Sequence, residues 1–311
     1  MNKLNICFIG IGSIAKRHIR NLQSICVARN LEISIDAYRH SASDDVPAGI
    51  SKVYHDLENV PDNYDIVFIT NPTKFHLESL QQIHGKGKHF FIEKPVVAVD
   101  QIGDAERFML KEGSVYYVAC PLRYNAVIQY IRNEIATDDV ISIRSISSSF
   151  LPDWRPETDY RDTYSAHRSL GGGVSIDLIH EWDYLTYLFG WPEKLYYMKG
   201  KKSLLEIDSD DYAIYIAEYY DKILELHLDY FGRKTIRQIE LFTNEDTIIG
   251  DLVQNRISFK RACKNLNFHE ERDDYQKKEL EHFLDMVEGL DNTENGFLHG
   301  LKVLKLTQGI L

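Results

Sequence analysis

Cysteine is scarce in this 311-residue chain: Cys7, Cys26, Cys120 and Cys263 lie far apart, with no metal-ligand spacing and no disulfide framework. That pattern points to reduced thiols in a cytoplasm and to no metal centre. Long hydrophobic runs are missing too. No stretch approaches the ~20 apolar residues of a membrane span. The first residues enter a strand without the layout of a secretion signal. Positive charge is in deficit, with 36 Lys and Arg against 47 Asp and Glu and a net charge of −11. The chain therefore lacks the basic surface that non-specific nucleic-acid binding needs, although a local basic pocket for an anionic ligand stays compatible. Repeats and low-complexity segments are absent. What remains is ordinary globular composition, 44% hydrophobic and 27% charged, in a chain long enough for two cored domains. The 19 tyrosines fall largely in strand-like runs of the second half, where packing in a core or interface explains them.

Residues 4–9 form a short apolar run that enters Gly10-Ile11-Gly12-Ser13-Ile14-Ala15, and residues 15–22 read as a helix. Strand, glycine turn and helix are the setting of a dinucleotide fingerprint. Gly10 permits the tight turn. Gly12 lets a pyrophosphate approach the backbone, and Ser13 and Ile14 open the helix whose N-terminus stabilises it. A second strand over residues 31–38 ends in Tyr38-Arg39-His40-Ser41. An NAD site usually carries Asp or Glu at this strand end. Arg39, with a hydroxyl from Ser41, suits a 2′-phosphate instead, so the expected cofactor is NADP. Asp36 as the ribose acid keeps NAD open as the alternative.

Residues 65–70 read as a buried parallel strand, followed by a polar loop, Asn71-Pro72-Thr73-Lys74-Phe75-His76. Thr70, Asn71, Pro72 and His76 are assigned to the cofactor edge. A helix over 76–84, a strand over 89–92, a helix over 99–112 and a strand over 115–120 that closes near Arg123 complete the alternation. Strands alternating with helices indicate a parallel, doubly wound sheet. The turn Glu93-Lys94-Pro95 follows the 89–92 strand at the carboxyl end of this sheet, where ligands bind such folds. There the Lys94 ammonium can stabilise a developing alkoxide. Glu93 is read as positioning Lys94, and Glu93, Lys94 and Arg123 join the candidate cofactor contacts.

The second half alternates differently. In the run over 222–231, Leu224, Leu226, Leu228 and Tyr230 face one side, while Glu225, His227 and Asp229 face the other. Runs over 140–150, 212–220 and 235–243 are alike. The short turns Tyr220-Asp221-Lys222 and Gly232-Arg233-Lys234 predict antiparallel hairpins. Helices are expected over 275–288 and 295–307. A triple glycine, Gly171-Gly172-Gly173, precedes Asp177 and His180, which a single helix running to about residue 188 places on one face, with Asp183 next in line to orient the imidazole. His titrates nearest neutrality and is the natural general acid/base. Before it lies an irregular stretch rich in Arg and aromatic residues. Trp154, Arg155, Tyr160, Arg161, Tyr164 and Arg168 suit a sugar bearing a carboxylate or phosphate, through bidentate hydrogen bonds and stacking.

The order Gly-x-Gly-x-x-Ala, Asn-Pro-x-x-x-His, Glu-Lys-Pro, a strand ending in Arg, and Gly-Gly-Gly-x-x-x-Asp-x-x-His resembles the Gfo/Idh/MocA oxidoreductase family over most of the chain. The resemblance implies a Rossmann domain, residues 1–122, and a second α/β domain, residues 123–311, with an open-faced, mainly antiparallel sheet. It implies NAD(P)-dependent hydride transfer on a secondary alcohol or ketone of a sugar, with Lys94, Asp177 and His180 carrying catalysis. An activated or acidic sugar of bacterial surface-polysaccharide biosynthesis is the expected substrate class. Subunits are expected to meet on the open sheet face as a homodimer or homotetramer. A cofactor-loaded sensor or scaffold without turnover, and a dihydrodiol or tetrapyrrole reductase, stay open on the same fold.

Overall fold

A computed structural model describes residues 3–41, 46–291 and 295–311. The chain divides into two units, residues 1–119 with 276–301, and residues 120–275 with 302–311. The first boundary thus falls at Ala119 against the expected 122, and the first unit takes in a C-terminal segment expected in the second domain.

In the first unit the elements are β1 (Lys3–Ile9), α1 (Ser13–Ala28), β2 (Glu32–Tyr38), β3 (Ile50–Tyr54), β4 (Tyr64–Ile69), α2 (His76–Ile83), β5 (Gly87–Ile92), α3 (Ile102–Ala105) and β6 (Tyr116–Val118). The sheet order is β3-β2-β1-β4-β5-β6, and all five of its pairings are parallel. This is the dinucleotide-binding order, with its reversal between β1 and β4. All six residues of β4 are buried, Asp65 included, which explains the uninterrupted apolar run from Ile66 to Ile69. Phe8 stacks on Phe68 at 4.5 Å and Phe68 on Phe91 at 4.8 Å. Phe283, from the C-terminal segment, meets Phe91 edge-on at 5.2 Å. Leu280, Phe283, Leu284 and Val287 are all buried. Their spacing of three and four residues makes one apolar stripe, which is how a distant helix joins this core. Truncating Phe283 to Ala should cost about 3–5 kcal/mol.

The helix expected over 99–112 is reduced to a 3₁₀ turn, Val99–Gln101, and the single turn of α3. Gly103 weakens its interior by about 1 kcal/mol. Phe108 packs on the His84 ring at 5.0 Å while Met109 is 82% exposed, so no continuous apolar stripe supports a longer helix.

The second unit holds α4 (Ala126–Glu134), β7 (Val140–Phe150), α5 (Val174–Asp177), α6 (His180–Phe189), β8 (Lys194–Gly200), β9 (Tyr212–Glu218), β10 (Ile223–Asp229), β11 (Phe231–Thr243), β12 (Thr247–Asp251), β13 (Arg256–Phe259) and β14 (Lys264–Asn267). The chain ends in α7 (Arg272–Val287) and α8 (Phe297–Thr307). The sheet runs β14-β13-β12-β11-β7-β10-β9-β8. The Tyr220 turn closes a true antiparallel hairpin, β9 with β10. The Gly232 turn does not. β7 lies between β10 and β11, parallel to the first and antiparallel to the second. From Ile143 to Ser147 the residues of β7 alternate between buried and less buried positions. Both edges of β7 are thus paired, and the chain leaving β10 crosses to its far side instead of folding back.

One sheet face carries Leu224, Leu226 and Leu228, all fully buried, as the alternation predicts. On it Trp182 of α6 meets Tyr215 edge-on at 5.3 Å, and Tyr184 hydrogen-bonds Ser145 at 2.8 Å. Beneath these, Glu181 is wholly buried and paired with Arg237 at 2.9 Å. Burial pushes its carboxyl up, against the pull of Arg237 and Tyr184. On the other face, Tyr196 (60% exposed), Met198 (59%) and Ile216 (51%) stand in the open.

Candidate active site

At the head of the first unit, β1 ends in Gly10 at φ +97°, a conformation glycine adopts without strain. A Cβ there would stand 2.7 Å from the Asn71 backbone nitrogen, so the turn and the β4 loop touch through bare backbone. The Gly10 N–H donates to the Tyr38 carbonyl at 2.8 Å, which places the end of β2 beside the same turn. Gly12 is the N-cap of α1 and offers no side-chain cap, and no acidic residue occupies the first turn. A Cβ on Gly12 would meet nothing within 4 Å. A sixteen-residue helix thus presents uncapped N–H groups to open space. Ser13 and Ile14 form its first positions. This cradle fits the pyrophosphate of a dinucleotide.

Arg39 follows β2, its N–H bonded to the Tyr54 carbonyl at 3.0 Å and its own carbonyl met by His55 at 3.1 Å. Ser41 is exposed. The rival ribose acid, Asp36, accepts a hydrogen bond from the Tyr64 hydroxyl at 2.7 Å.

After β4, the Thr70 hydroxyl bonds the Gly10 carbonyl at 2.9 Å, tying loop to turn. Asn71 donates to Ser79 at 2.8 Å, and Pro72 opens a 3₁₀ turn. His76 is buried, with Nδ1 facing the Pro95 carbonyl at 3.0 Å and Nε2 the Asn71 carbonyl at 2.9 Å. Burial holds its imidazole below the ordinary range despite these contacts and the nearby Glu93 charge. The ring joins the two loops that end β4 and β5. Glu93 and half-buried Lys94 follow β5, and the Lys94–Pro95 peptide is cis.

In the second unit, Asp177 and His180 do not share one helix. Asp177 ends α5, Leu178 breaks it at φ −96°, ψ 26°, and His180 begins α6. The triple glycine shapes the approach to α5. Gly171 and Gly173 adopt φ of +83° and +128°. A Cβ on Gly172 would lie 2.1 Å from the Tyr164 carbonyl oxygen. The segment carrying Tyr164 therefore lies directly on the glycines.

Asp177 is only 4% exposed. It accepts the Tyr230 hydroxyl at 2.5 Å, and Tyr164 hydrogen-bonds it as well. Trp154 meets the Tyr230 ring edge-on at 5.3 Å, and Arg155 lies over the Tyr164 ring at 5.6 Å. Trp154, Arg155 and Tyr164 thus gather around Asp177 through Tyr230, a residue read from the sequence only as an inward-facing strand position. The other expected substrate residues lie elsewhere on the segment. Arg161 is exposed and paired with Asp159 at 2.6 Å and Glu206 at 3.1 Å. The Tyr160 hydroxyl accepts the Glu206 N–H at 3.2 Å, and the Arg168 N–H donates to Asp208 at 2.6 Å. Arg123, expected at the cofactor, makes a buried two-pronged pair with Asp183, each bond 2.8 Å. Among the described residues no cluster of His, Cys, Asp and Glu has the makings of a metal site, and no helix is long and apolar enough to cross a membrane.

Residues 4–119 match the model of an oxidoreductase family with an NAD-binding Rossmann fold, GFO_IDH_MocA. The chain is 27% identical over 215 residues to the uncharacterized oxidoreductase YrbE of Bacillus subtilis (strain 168), spanning 66% of this chain and 61% of that protein. It is 25% identical over 199 residues to a glucose-6-phosphate 3-dehydrogenase of the same organism, spanning 61% of this chain and 54% of that one. The chain thus covers less than two thirds of either relative. Among solved structures, levoglucosan dehydrogenase in complex with NADH has the same fold, with a TM-score of 0.86 at 15% identity over 99% of this chain and 96% of that one.

Proposed function

We propose that this chain, whose residues 4–119 match the GFO_IDH_MocA oxidoreductase model, is a member of that family and a dehydrogenase acting on a secondary alcohol or ketone of a sugar. The observation that carries the reading is the uncapped glycine cradle at α1, tied through Thr70, Asn71 and His76 to the turn that holds Lys94. A nicotinamide cofactor, when bound, gives or takes the hydride. The chain's own residues bind and orient the reactants and handle the proton. Lys94 donates to the reacting oxygen and stabilises its developing charge. His180 moves the proton, and Asp177, which accepts from two tyrosine hydroxyls, orients the substrate hydroxyl or the imidazole.

NADP is the preferred cofactor in this reading. Arg39 stands at the end of β2, and Asp36 is engaged by Tyr64. An acidic or activated sugar, of the kind used in bacterial surface polysaccharides, suits the Arg155–Tyr164 pair. The relative named for glucose 6-phosphate is a phosphorylated-sugar precedent. The four free thiols suit a cytoplasmic protein. The exposed Tyr196, Met198 and Ile216 suit a homodimer or a dimer of dimers. A panel of glucose 6-phosphate, uronic acids and nucleotide sugars, each incubated with NADP and with NAD, tests the reading through reduced-nicotinamide absorbance. Turnover of a sugar supports it. A cofactor that binds but is never reduced or oxidised by any sugar overturns it.

A further inference from the structure

We propose that His18 is a positioning residue for the lysine turn: it donates its Nε2–H to Glu93 and so fixes the carboxylate that holds Lys94. The inference rests on the reading of Lys94 as the group that meets the reacting oxygen.

His18 lies on α1 in the buried stripe Ala15, His18, Ile19 and Leu22, and is 1% exposed. A polar ring in such a place needs a partner. Its Nε2 is 2.7 Å from Glu93 Oε1. Its Nδ1 has no hydrogen-bond partner among the described residues, and the ring packs beside Phe68 and Phe91 at 5.8 and 5.0 Å. A carboxylate oxygen only accepts, so Nε2 carries a proton and donates it to Glu93. The second oxygen of Glu93 accepts the Lys94 N–H at 3.2 Å. The Glu93 N–H donates to the Ile69 carbonyl at 3.0 Å. The charged or titratable groups acting on Glu93 are His18 from α1, Lys94 next in the chain and His76 from α2. Burial pushes the Glu93 carboxyl up, but the His18 hydrogen bond and these charges hold it below the usual carboxylate range. Nothing in the expected chemistry of the glycine turn calls for a histidine at this depth, whereas a buried carboxylate beside a lysine does call for a donor.

If His18 only fills space, a phenyl ring serves as well as imidazole. If it acts as a donor, glutamine serves and phenylalanine does not. Without the donor, the Glu93 carboxylate loses the bond that fixes it beside the turn, its pull on the Lys94 ammonium weakens, and the lysine becomes more nucleophilic. The readout is acetic anhydride labelling of the full-length protein near neutrality. Peptide mass spectrometry scores Lys94 against exposed Lys202. His18→Phe should raise the ratio about fivefold or more, and His18→Gln should keep it within about twofold. A wild-type ratio in His18→Phe, or equal displacement in both variants, overturns the proposal. Should His18→Phe fail to fold, Glu93→Gln removes the carboxylate charge itself and carries the same expectation. Labelling does not depend on turnover. If Lys94→Ala keeps full activity, the reading of the lysine falls while the His18 result stands by itself.

Discussion

Tyr230 donates its hydroxyl to Asp177 across 2.5 Å, and both side chains are buried in the second unit. The pair joins the last residue of a one-turn helix to the residue between two long strands. Burial, first, and the Asp177 charge push the Tyr230 phenol well above its ordinary range, so the tyrosine stays a donor and the aspartate an acceptor. Tyr230→Phe removes that donor while keeping the ring against Trp154. A hydrogen bond to a charged group contributes about 1.5–3 kcal/mol, so kcat should fall by about 10- to 100-fold. Circular dichroism should stay native. Unchanged kcat would mean that Asp177 has no part in turnover.

Lys94 makes the sharper claim. Lys94→Ala should lower kcat by a factor of about 10²–10⁴. Cofactor affinity, read by isothermal titration, should stay near the wild-type value because the glycine cradle is untouched. Wild-type turnover in the variant would remove Lys94 from the chemistry.

Arg39 governs the choice of cofactor if the end of β2 reads the ribose. Isothermal titration should show tighter binding of NADP than of NAD. Arg39→Ala should weaken NADP by about tenfold or more and leave NAD nearly unchanged, since a charge-assisted pair is lost for one ligand alone. Tighter NAD binding by the wild type would return the ribose to Asp36 or Tyr38.

Asp229 ties the β10–β11 corner together and is 3% exposed. Its carboxylate accepts from Ser148 at 2.9 Å and from the Phe231 and Gly232 N–H groups at 3.1 and 2.8 Å, with His227 at 3.2 Å. Burial raises its pKa, but these donors outweigh it and hold the group below the usual range. A depressed folded pKa gives stability that is present above the unfolded value, about 3.9, and is lost as pH falls through the folded value. Asp229→Asn should therefore destabilise the protein by about 1–3 kcal/mol near neutrality. The gap to wild type should close in acid, as denaturant melts at several pH values will show. A gap that is independent of pH would exclude the carboxylate charge as its cause.

Much of this was legible because periodicity reports burial directly. β4, β7, β9 and β10 fall where their apolar patterns place them, and the glycine turn sits between strand and helix as expected. Patterns do not say which edges pair, so the insertion of β7 between β10 and β11 stayed hidden. Spacing along the chain also suggests a shared helix face only if the helix continues. At Leu178 it does not, and the approach of Gly172 to the Tyr164 carbonyl is likewise a contact that local spacing does not show. Tyr230 and His18 escaped notice for the same reason. Each occupies an apolar stripe, and only the fold shows which carboxylate it meets.

The open face of the second sheet makes the last claim. In the cross-strand ladder, Tyr196 stands opposite Ile216, and Ile216 opposite Glu225. Glu225 pairs with Arg144 at 3.5 Å near the middle of the face. Exposed Tyr196, Met198, Ile216 and Ile223 flank that pair on strands β8 to β10, on the face away from α5 and α6. An apolar patch around a charged pair can match a second copy of itself about a twofold axis, where each Glu meets the partner's Arg as well as its own. Standard interfaces bury about 800 Å² on each side, within reach of one sheet face. Light scattering at micromolar concentration should therefore return a multiple of 36.1 kDa, and Ile216→Arg should shift it toward the monomer while activity per chain is retained. A wild-type mass near 36.1 kDa would refute the assembly. A dimer that survives Ile216→Arg would place the interface elsewhere on the chain.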